Sequence, residues 1–535
     1  MKKRKKWMTA VLALALGTSM LAGCGKDSGD KSDVKADAGS NGAKQVVTVG
    51  ANSDWGDISP FGTMSQTRSA VMYNFYEYMA VRKDFGAALE DMEKECAKEI
   101  TQVDELTYEI EMYDNIKDSE GNAITAEDYA WAAATMKEKG NYEKLNSYLD
   151  SVTATGDYTV QLKLTDNPLG AIEYMMNIIP VISQKAYEES VDEMATKPVT
   201  TGPYIVESLV PGATLTLVKN ENYWQTEESQ KHALAGQNVD KIVYSLITEP
   251  SQMSTALQTG SIDLAQYMDN TALDTFYKDG KATEGYEAYT LNSNVMFSVL
   301  PNCSDKSVVG ESADLRKALY TAIDADAVLQ AMCNGLGTRL NAMANPISGD
   351  YVEAWDEAAY YPYDPDEAKA MMEKAGYKPE ELKLTLLTLP MLDKAAQVIQ
   401  ANLSEIGVKV EIASYEDALY QTYKLDDSQW DIMLDIKGTD DFVTFPWSLL
   451  FDNRSFEGKT ANFIVDEDLQ SKIEAAISTD THGEDTVKAV QEALNENGYC
   501  YGLYTTNNYI IGKSGAVSEM DYIQNAFVLP GCCTY

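Results

Sequence analysis

Catalytic side chains are scarce in this chain. Of 535 residues only two are histidine, His232 and His482, and each lies in a polar loop sequence that reads as exposed. With no Gly-x-Ser-x-Gly elbow either, no Ser-His or Cys-His site stands out. Beyond the N-terminal basic cluster, arginine occurs only at Arg68, Arg82, Arg316, Arg339 and Arg454, so an anionic ligand has few guanidinium partners. Basic charge is low altogether: 43 Lys and Arg face 83 Asp and Glu, a formal net charge of −40. That balance excludes phosphate-backbone binding, which needs basic stripes. Among the cysteines, Cys96, Cys303, Cys333, Cys500, Cys532 and Cys533 show no Cys-x-x-Cys spacing, so zinc and redox motifs are unsupported and disulfide pairing stays open. Gly458-Lys459-Thr460 and Gly512-Lys513-Ser514 end like phosphate loops, but Asn453 and Asn507 stand where the leading glycine belongs. The expectation is a protein that is no enzyme, with no cofactor and no metal.

What is present begins with an address. Residues 2–24 run from Lys-Lys-Arg-Lys-Lys-Trp through a short apolar stretch to Leu21-Ala22-Gly23-Cys24. The apolar run is shorter than the roughly 20 residues a spanning helix needs. The pattern reads as a bacterial lipoprotein export signal, with cleavage leaving Cys24 to carry the lipid, and acyl chains giving stable anchoring. Residues 25–45 hold Gly, Ser, Asp, Lys and Ala with one Val as the only large apolar residue, a flexible tether. The protein is therefore expected at the cell membrane, lipid-anchored and facing the extracytoplasmic side.

The body mixes both periodicities. Strand patterns fall at Val46–Gly50, Leu106–Met112, Tyr158–Leu164, Gly202–Leu209, Thr214–Lys219, Lys241–Leu246, Leu382–Leu387, Lys409–Ile412, Asp431–Asp435 and Tyr509–Ile511. Helical patterns fall at Ala70–Ala80, Ser312–Met332, Pro365–Ala375 and Leu392–Ile406. Asp118–Asn122 reads as a hairpin turn, and Thr125-Ala126-Glu127-Asp128 as a helix cap. Such alternation argues an α/β or α+β body.

Four segments in order carry a resemblance: Ile116–Asp128; Pro198-Val199-Thr200-Thr201-Gly202-Pro203-Tyr204 continuing to Asn220-Glu221-Asn222-Tyr223-Trp224; Val239–Val243 with Ala256–Asp263; and Leu315–Asp324 followed by Tyr363-Asp364-Pro365. From about residue 46 to 510 the chain resembles the family 5 extracellular solute-binding proteins, the peptide, opine and nickel receptors of ABC importers. Each motif also has a local role: Gly202-Pro203 is a turn, Arg316 is expected in an internal ion pair, and Tyr223-Trp224 in packing.

The resemblance implies an α/β, two-lobed periplasmic-binding-protein-like fold of type II, with an extra subdomain. Mapped here, lobe one is 46–73, 186–291 and 504–535, the subdomain 74–185, and lobe two 292–503, after a signal at 1–23 and a tether at 24–45. It implies a monomer that captures a short peptide between closing lobes and passes it to an ABC permease and its ATPase subunits, binding no nucleic acid. It also implies an aspartate on lobe two that pairs the ligand ammonium. Here that is Asp440, or Asp441 one residue on, although Ile436 and Lys437 replace the family's Gly-Trp and Lys437 can neutralise the aspartates. Trp55, Phe445, Pro446 and Trp447 are candidate apolar walls, Trp447 being equally a core candidate, and Arg454 and Arg316 are candidate partners for a carboxylate. An oligosaccharide or a chelated metal is the alternative cargo. A surface sensor, adhesin or chaperone is the alternative class.

Overall fold

In the computed structural model, which describes residues 46–535 apart from 64, 228, 229, 269, 440, 454–459, 525 and 526, the first strand is Val46–Ala51. The export signal, Cys24 and the tether lie outside the described residues. Val47 and Val49 face inward from this strand, which lies parallel to Lys241–Leu246 and to Leu264–Ala265. Antiparallel Thr214–Lys219 and Tyr204–Val210 complete this side of the sheet. A separate four-stranded antiparallel sheet among the described residues is ordered Ala97–Asp104, Thr107–Met112, Thr159–Leu164, Leu149–Ala154. Tyr108, Ile110 and Met112 alternate inward there, the period-2 pattern of a half-buried strand. The helix Ala126–Lys139 presents Tyr129, Ala132, Ala133 and Met136 to the interior, spaced for one helical face. One apolar cluster runs continuously from Val47 to Leu164, so the subdomain shares its core with lobe one.

Lobe two is built on Lys383–Thr388, parallel to both Lys409–Ser414 and Ile432–Gly438. One face is packed by Ala313–Thr321, Ala325–Cys333, Pro365–Lys374 and Asp393–Glu405, the other by Thr444–Phe451, Glu467–Ile477 and Glu484–Glu496. Two long antiparallel strands, Tyr286–Pro301 and Tyr501–Lys513, belong to both lobes and fuse their sheets. Their register slips between Asn292 and Met296, and such a bulge bends a strand pair. On one side of the slip Tyr509 and Ile511 pack with Met253, Leu257 and Phe276. On the other, Phe297 stacks on Tyr504 at 4.5 Å between ring centroids, inside the lobe-two core. The core thus divides at the bulge.

Three sequence expectations are corrected. The aromatic segment 70–80 is not one helix: helix Gln66–Met72 ends there, with Asn74 Nδ2 donating to the Ala70 and Val71 carbonyls. The following backbone pairs with distant chain, Gly202 N–H to the Phe75 carbonyl and Tyr204 N–H to that of Asn74, so its aromatics are buried on every side. The Ser312–Met332 pattern splits in two because Asp324 caps a new helix, accepting from Ala327 N–H at 2.9 Å. Arg316 makes no ion pair among the described residues; it donates to the carbonyls of Val309, Gly310 and Asn497.

Candidate ligand cleft

In open α/β sheets ligands bind outside the C-terminal ends of parallel strands, and both lobes turn such edges toward the two shared strands. Lobe one contributes the segment after Ala51, lobe two the segment after Gly438. On the lobe-two edge Asp441 is buried and forms an ion pair with Arg82, which follows the short strand Ala80–Val81 of the opposite side. Asp441 Oδ1 also accepts from Gly86 N–H at 3.3 Å, and its carbonyl accepts from Gly349 N–H at 2.8 Å. A Cβ on Gly86, whose φ is +72°, would sit 2.2 Å from the Gly349 Cα, so glycine is required where the two backbones cross. Next along, Asp350 Oδ1 accepts from Val443 N–H at 2.6 Å. Burial holds the Asp350 carboxyl above its usual range, opposed by that hydrogen bond and by the charge of His482.

Beside this contact lies a cavity of about 340 Å³, at the small end of ordinary ligand sites. Lys144, Tyr148, Leu169 and Tyr174 line it from the subdomain, and Phe445 and Ser448 from lobe two. The Lys144 ammonium sits 4.0 Å from the Phe445 ring centroid and 5.2 Å from that of Tyr174, a cation–π arrangement. Burial, with the nearby Arg82 charge, pulls Lys144 down to about 7, while Glu173 opposes the change. The rim is closed by Leu169 N–H donating to the Ile477 carbonyl at 3.3 Å. The protein is thus in a conformation with subdomain and lobe two in contact.

Of the residues read from the sequence, Phe445 lines the cavity and Asp441 stands at the contact between lobes. Trp55 and Trp447 are each 1% exposed. Trp447 is a core residue whose Nε1 donates to the Met343 carbonyl at 2.7 Å; Trp55 Nε1 has no hydrogen-bond partner among the described residues. Pro446 is buried beside Trp447. Asp440 and Arg454 lie outside the described residues. Lys437 does not pair with Asp441, which Arg82 holds instead. Sequence reading missed Arg82, Lys144 and Asp350 as members of the site. No local signal marked Arg82, whose partner Asp441 lies far along the chain.

The shared motifs turn out to be scaffold. Asp118 closes its hairpin by accepting from Glu120 and Asn122 N–H groups, and Ser119 N–H reaches the Thr200 carbonyl of the second motif. Asn220 Nδ2 donates to the Gly202 carbonyl, closing the two halves of that second motif on each other. Tyr223 hydroxyl and Trp224 Nε1 both donate to the buried Glu77 carboxylate, at 2.5 and 2.7 Å. Here the histidine expectation is also corrected. His232 is buried, with Nε2 3.4 Å from Glu77 Oε1 and 4.0 Å from Glu95 Oε1.

The fold is that of a two-lobed α/β protein. Residues 92–457 match the family described as bacterial extracellular solute-binding proteins, family 5 Middle. The chain belongs to that family, a class of solute-binding proteins. It is 25% identical over 455 residues to Heme-binding protein A of Haemophilus influenzae, covering 77% of this chain and 78% of that one. It is 22% identical over 486 residues to the oligopeptide-binding protein AppA of Bacillus subtilis, covering 84% and 82%. Among solved structures, that of HbpA2 from Haemophilus parasuis superposes with a TM-score of 0.78 at 17% identity over 91% of this chain and 98% of that one. Among the described residues no helix is long and apolar enough to cross a membrane.

Proposed function

We propose that this protein is the receptor of an ABC importer, moored through Cys24, which traps a short peptide between its lobes and hands it unaltered to a membrane permease with separate ATPases. The observation that carries the reading is the pair of strands shared by both lobes, read as a hinge. Two strands cross between lobes whose edges meet through Arg82 and Asp441 beside a cavity of peptide scale. A ligand drives such closure only by binding the closed state better than the open one. The relation to AppA, across most of both chains, supports a peptide cargo. A chelated metal is the second reading, supported by the relation to Heme-binding protein A.

The test is a thermal shift of the purified protein with pools of dipeptides to pentapeptides. At a hundredfold excess over Kd, binding adds about 2.7 kcal/mol of stability. A raised Tm with peptides, and mass-spectrometric recovery of unchanged peptide from denatured protein, support the reading. A Tm raised by hemin alone favours the second.

A further inference from the structure

We propose that the buried cluster of Glu77, Glu95 and His232 is a proton-operated latch on the subdomain. Holding its proton, it fixes the root of the hairpin 77–96, whose tip meets lobe two; giving the proton up, it loosens that hairpin and with it the contact to Asp441. The inference rests on the receptor reading only in taking that contact as one that opens, and it holds for any cargo.

The hairpin is built on Ala80–Val81 paired with Glu93–Lys94. At its tip Arg82 and the Gly86 N–H reach Asp441 of lobe two. At its root Cys96 N–H donates to the Tyr78 carbonyl at 3.1 Å, and Tyr78 N–H donates to Glu95 Oε2 at 2.7 Å. The Glu95 carboxyl is therefore one of the groups that close the root. His232 Nε2 lies 4.0 Å from Glu95 Oε1 and 3.4 Å from Glu77 Oε1. Leu234 N–H donates to His232 Nδ1 at 3.2 Å, which leaves Nε2 to carry hydrogen toward the two carboxyls.

The loop that brings His232 straps the hairpin to lobe one. Gln225 Nε2 donates to the Glu95 carbonyl at 3.1 Å, and Ala233 N–H to Glu93 Oε1 at 2.7 Å. Farther on, Gln237 Nε2 donates to the Asn220 carbonyl at 3.2 Å and Asn238 Nδ2 to that of Cys532 at 2.9 Å. The strap also walls a cavity of about 620 Å³, with Gln225 and His232 in its lining, so protons have a way to the cluster.

Among the described residues His232 is the one base paired with either carboxyl. The other titratable groups within reach of the Glu95 charge are Glu93, Tyr73, Tyr78, Cys96, Tyr223 and Cys532, and none is a cation. Burial holds the Glu95 proton up to about 8, with His232 opposing and the Glu77 charge assisting. Once the root opens to water, the carboxyl returns toward its ordinary 4.5, so opening releases a proton. By linkage, opening grows easier as the pH climbs from the ordinary value to the raised one, and levels off above it.

The test is hydrogen exchange of the ligand-free full chain between pH 5 and 9, with small-angle scattering on the same samples. Protection factors are read for peptides from 77–96 and, as a control, for strand Lys383–Thr388 of lobe two. The expected result is that protection of the root and of Gly86 falls together, by at most about tenfold per pH unit, and levels near pH 8. The radius of gyration grows over the same range, and the control strand keeps its protection. Glu95→Gln retains an acceptor for Tyr78 N–H without ionising, and is expected to hold both readouts constant. An unchanged pH profile in Glu95→Gln, or a root that loosens while Gly86 and the radius stay fixed, overturns the latch and leaves the receptor reading standing. Should Glu95→Gln not fold, carboxyl-carbon NMR of glutamate-labelled wild type decides. A glutamate that titrates above pH 7 in step with the exchange upholds the latch, and none above pH 6 overturns it.

Discussion

Glu95 keeps its proton at pH values where an exposed carboxyl has lost it, because burial opposes the charged form; His232 works against that shift and Glu77 adds to it. Burial alone would lower His232, but the Glu77 hydrogen bond and the charges of Glu95 and Glu77 outweigh it, so His232 is raised. Both groups bind protons more tightly folded than unfolded, so both contribute stability at low pH and lose it as the pH rises. For Glu95 the loss starts above the ordinary carboxyl value of 4.5, and for His232 above the ordinary 6.5. Glu95→Gln should flatten the fall in Tm between pH 5 and 8 and raise Tm at the upper end; an unchanged slope would exclude Glu95 as its source. Tyr223→Phe removes a donor from buried Glu77 and should cost about 1–3 kcal/mol in urea unfolding. At this scale the sequence was only partly legible. His232 sits among polar loop residues, and nothing local announces Glu77, 155 positions away. Asp440, with Asp441 as its register alternative, and Phe445 were named from the family segment that follows a recognisable strand. Arg82 and Gly86 were not, since Gly86 meets Asp441 across 355 positions.

Elements were legible where a single periodicity governs them. Thr214–Lys219 and Lys241–Leu246 have the bounds their alternation predicts, and Asp393–Glu405 lies within the predicted helix Leu392–Ile406. They were illegible where a tertiary contact overrides the local pattern, as in the aromatic run after Met72, whose carbonyls serve another segment. That contact makes a sharp prediction. A Cβ on Gly202 would lie 2.5 Å from the Phe75 carbonyl oxygen, backbone against backbone. Gly202→Ala should therefore destabilise by about 2 kcal/mol or more in urea. A cost under half a kcal/mol would mean that the two segments separate freely. Asp324→Ala should cost about 1 kcal/mol through the lost cap of Ala325–Cys333.

For the whole molecule, two strands run through both lobes and one buried ion pair joins subdomain and lobe two. Asp441→Asn leaves the Arg82 charge buried without its partner, a penalty of about 3–5 kcal/mol that opening into water relieves. The variant should scatter with a larger radius of gyration than wild type when ligand-free. Arg82→Met with Asp441→Leu, which replaces the pair by apolar packing, should restore the compact value. The first two motifs that reveal the family tie the subdomain to lobe one, and the last, Leu315–Asp324, packs in the core of lobe two. They disclose the fold while saying little about the cargo.

The most direct measurement of the central claim is small-angle scattering of protein stripped of ligand by unfolding and refolding, recorded before and after adding a pool of short peptides. The account predicts a smaller radius of gyration with peptide and the peptides recovered intact. A radius that stays constant under saturating ligand, or a ligand recovered chemically changed, would contradict it.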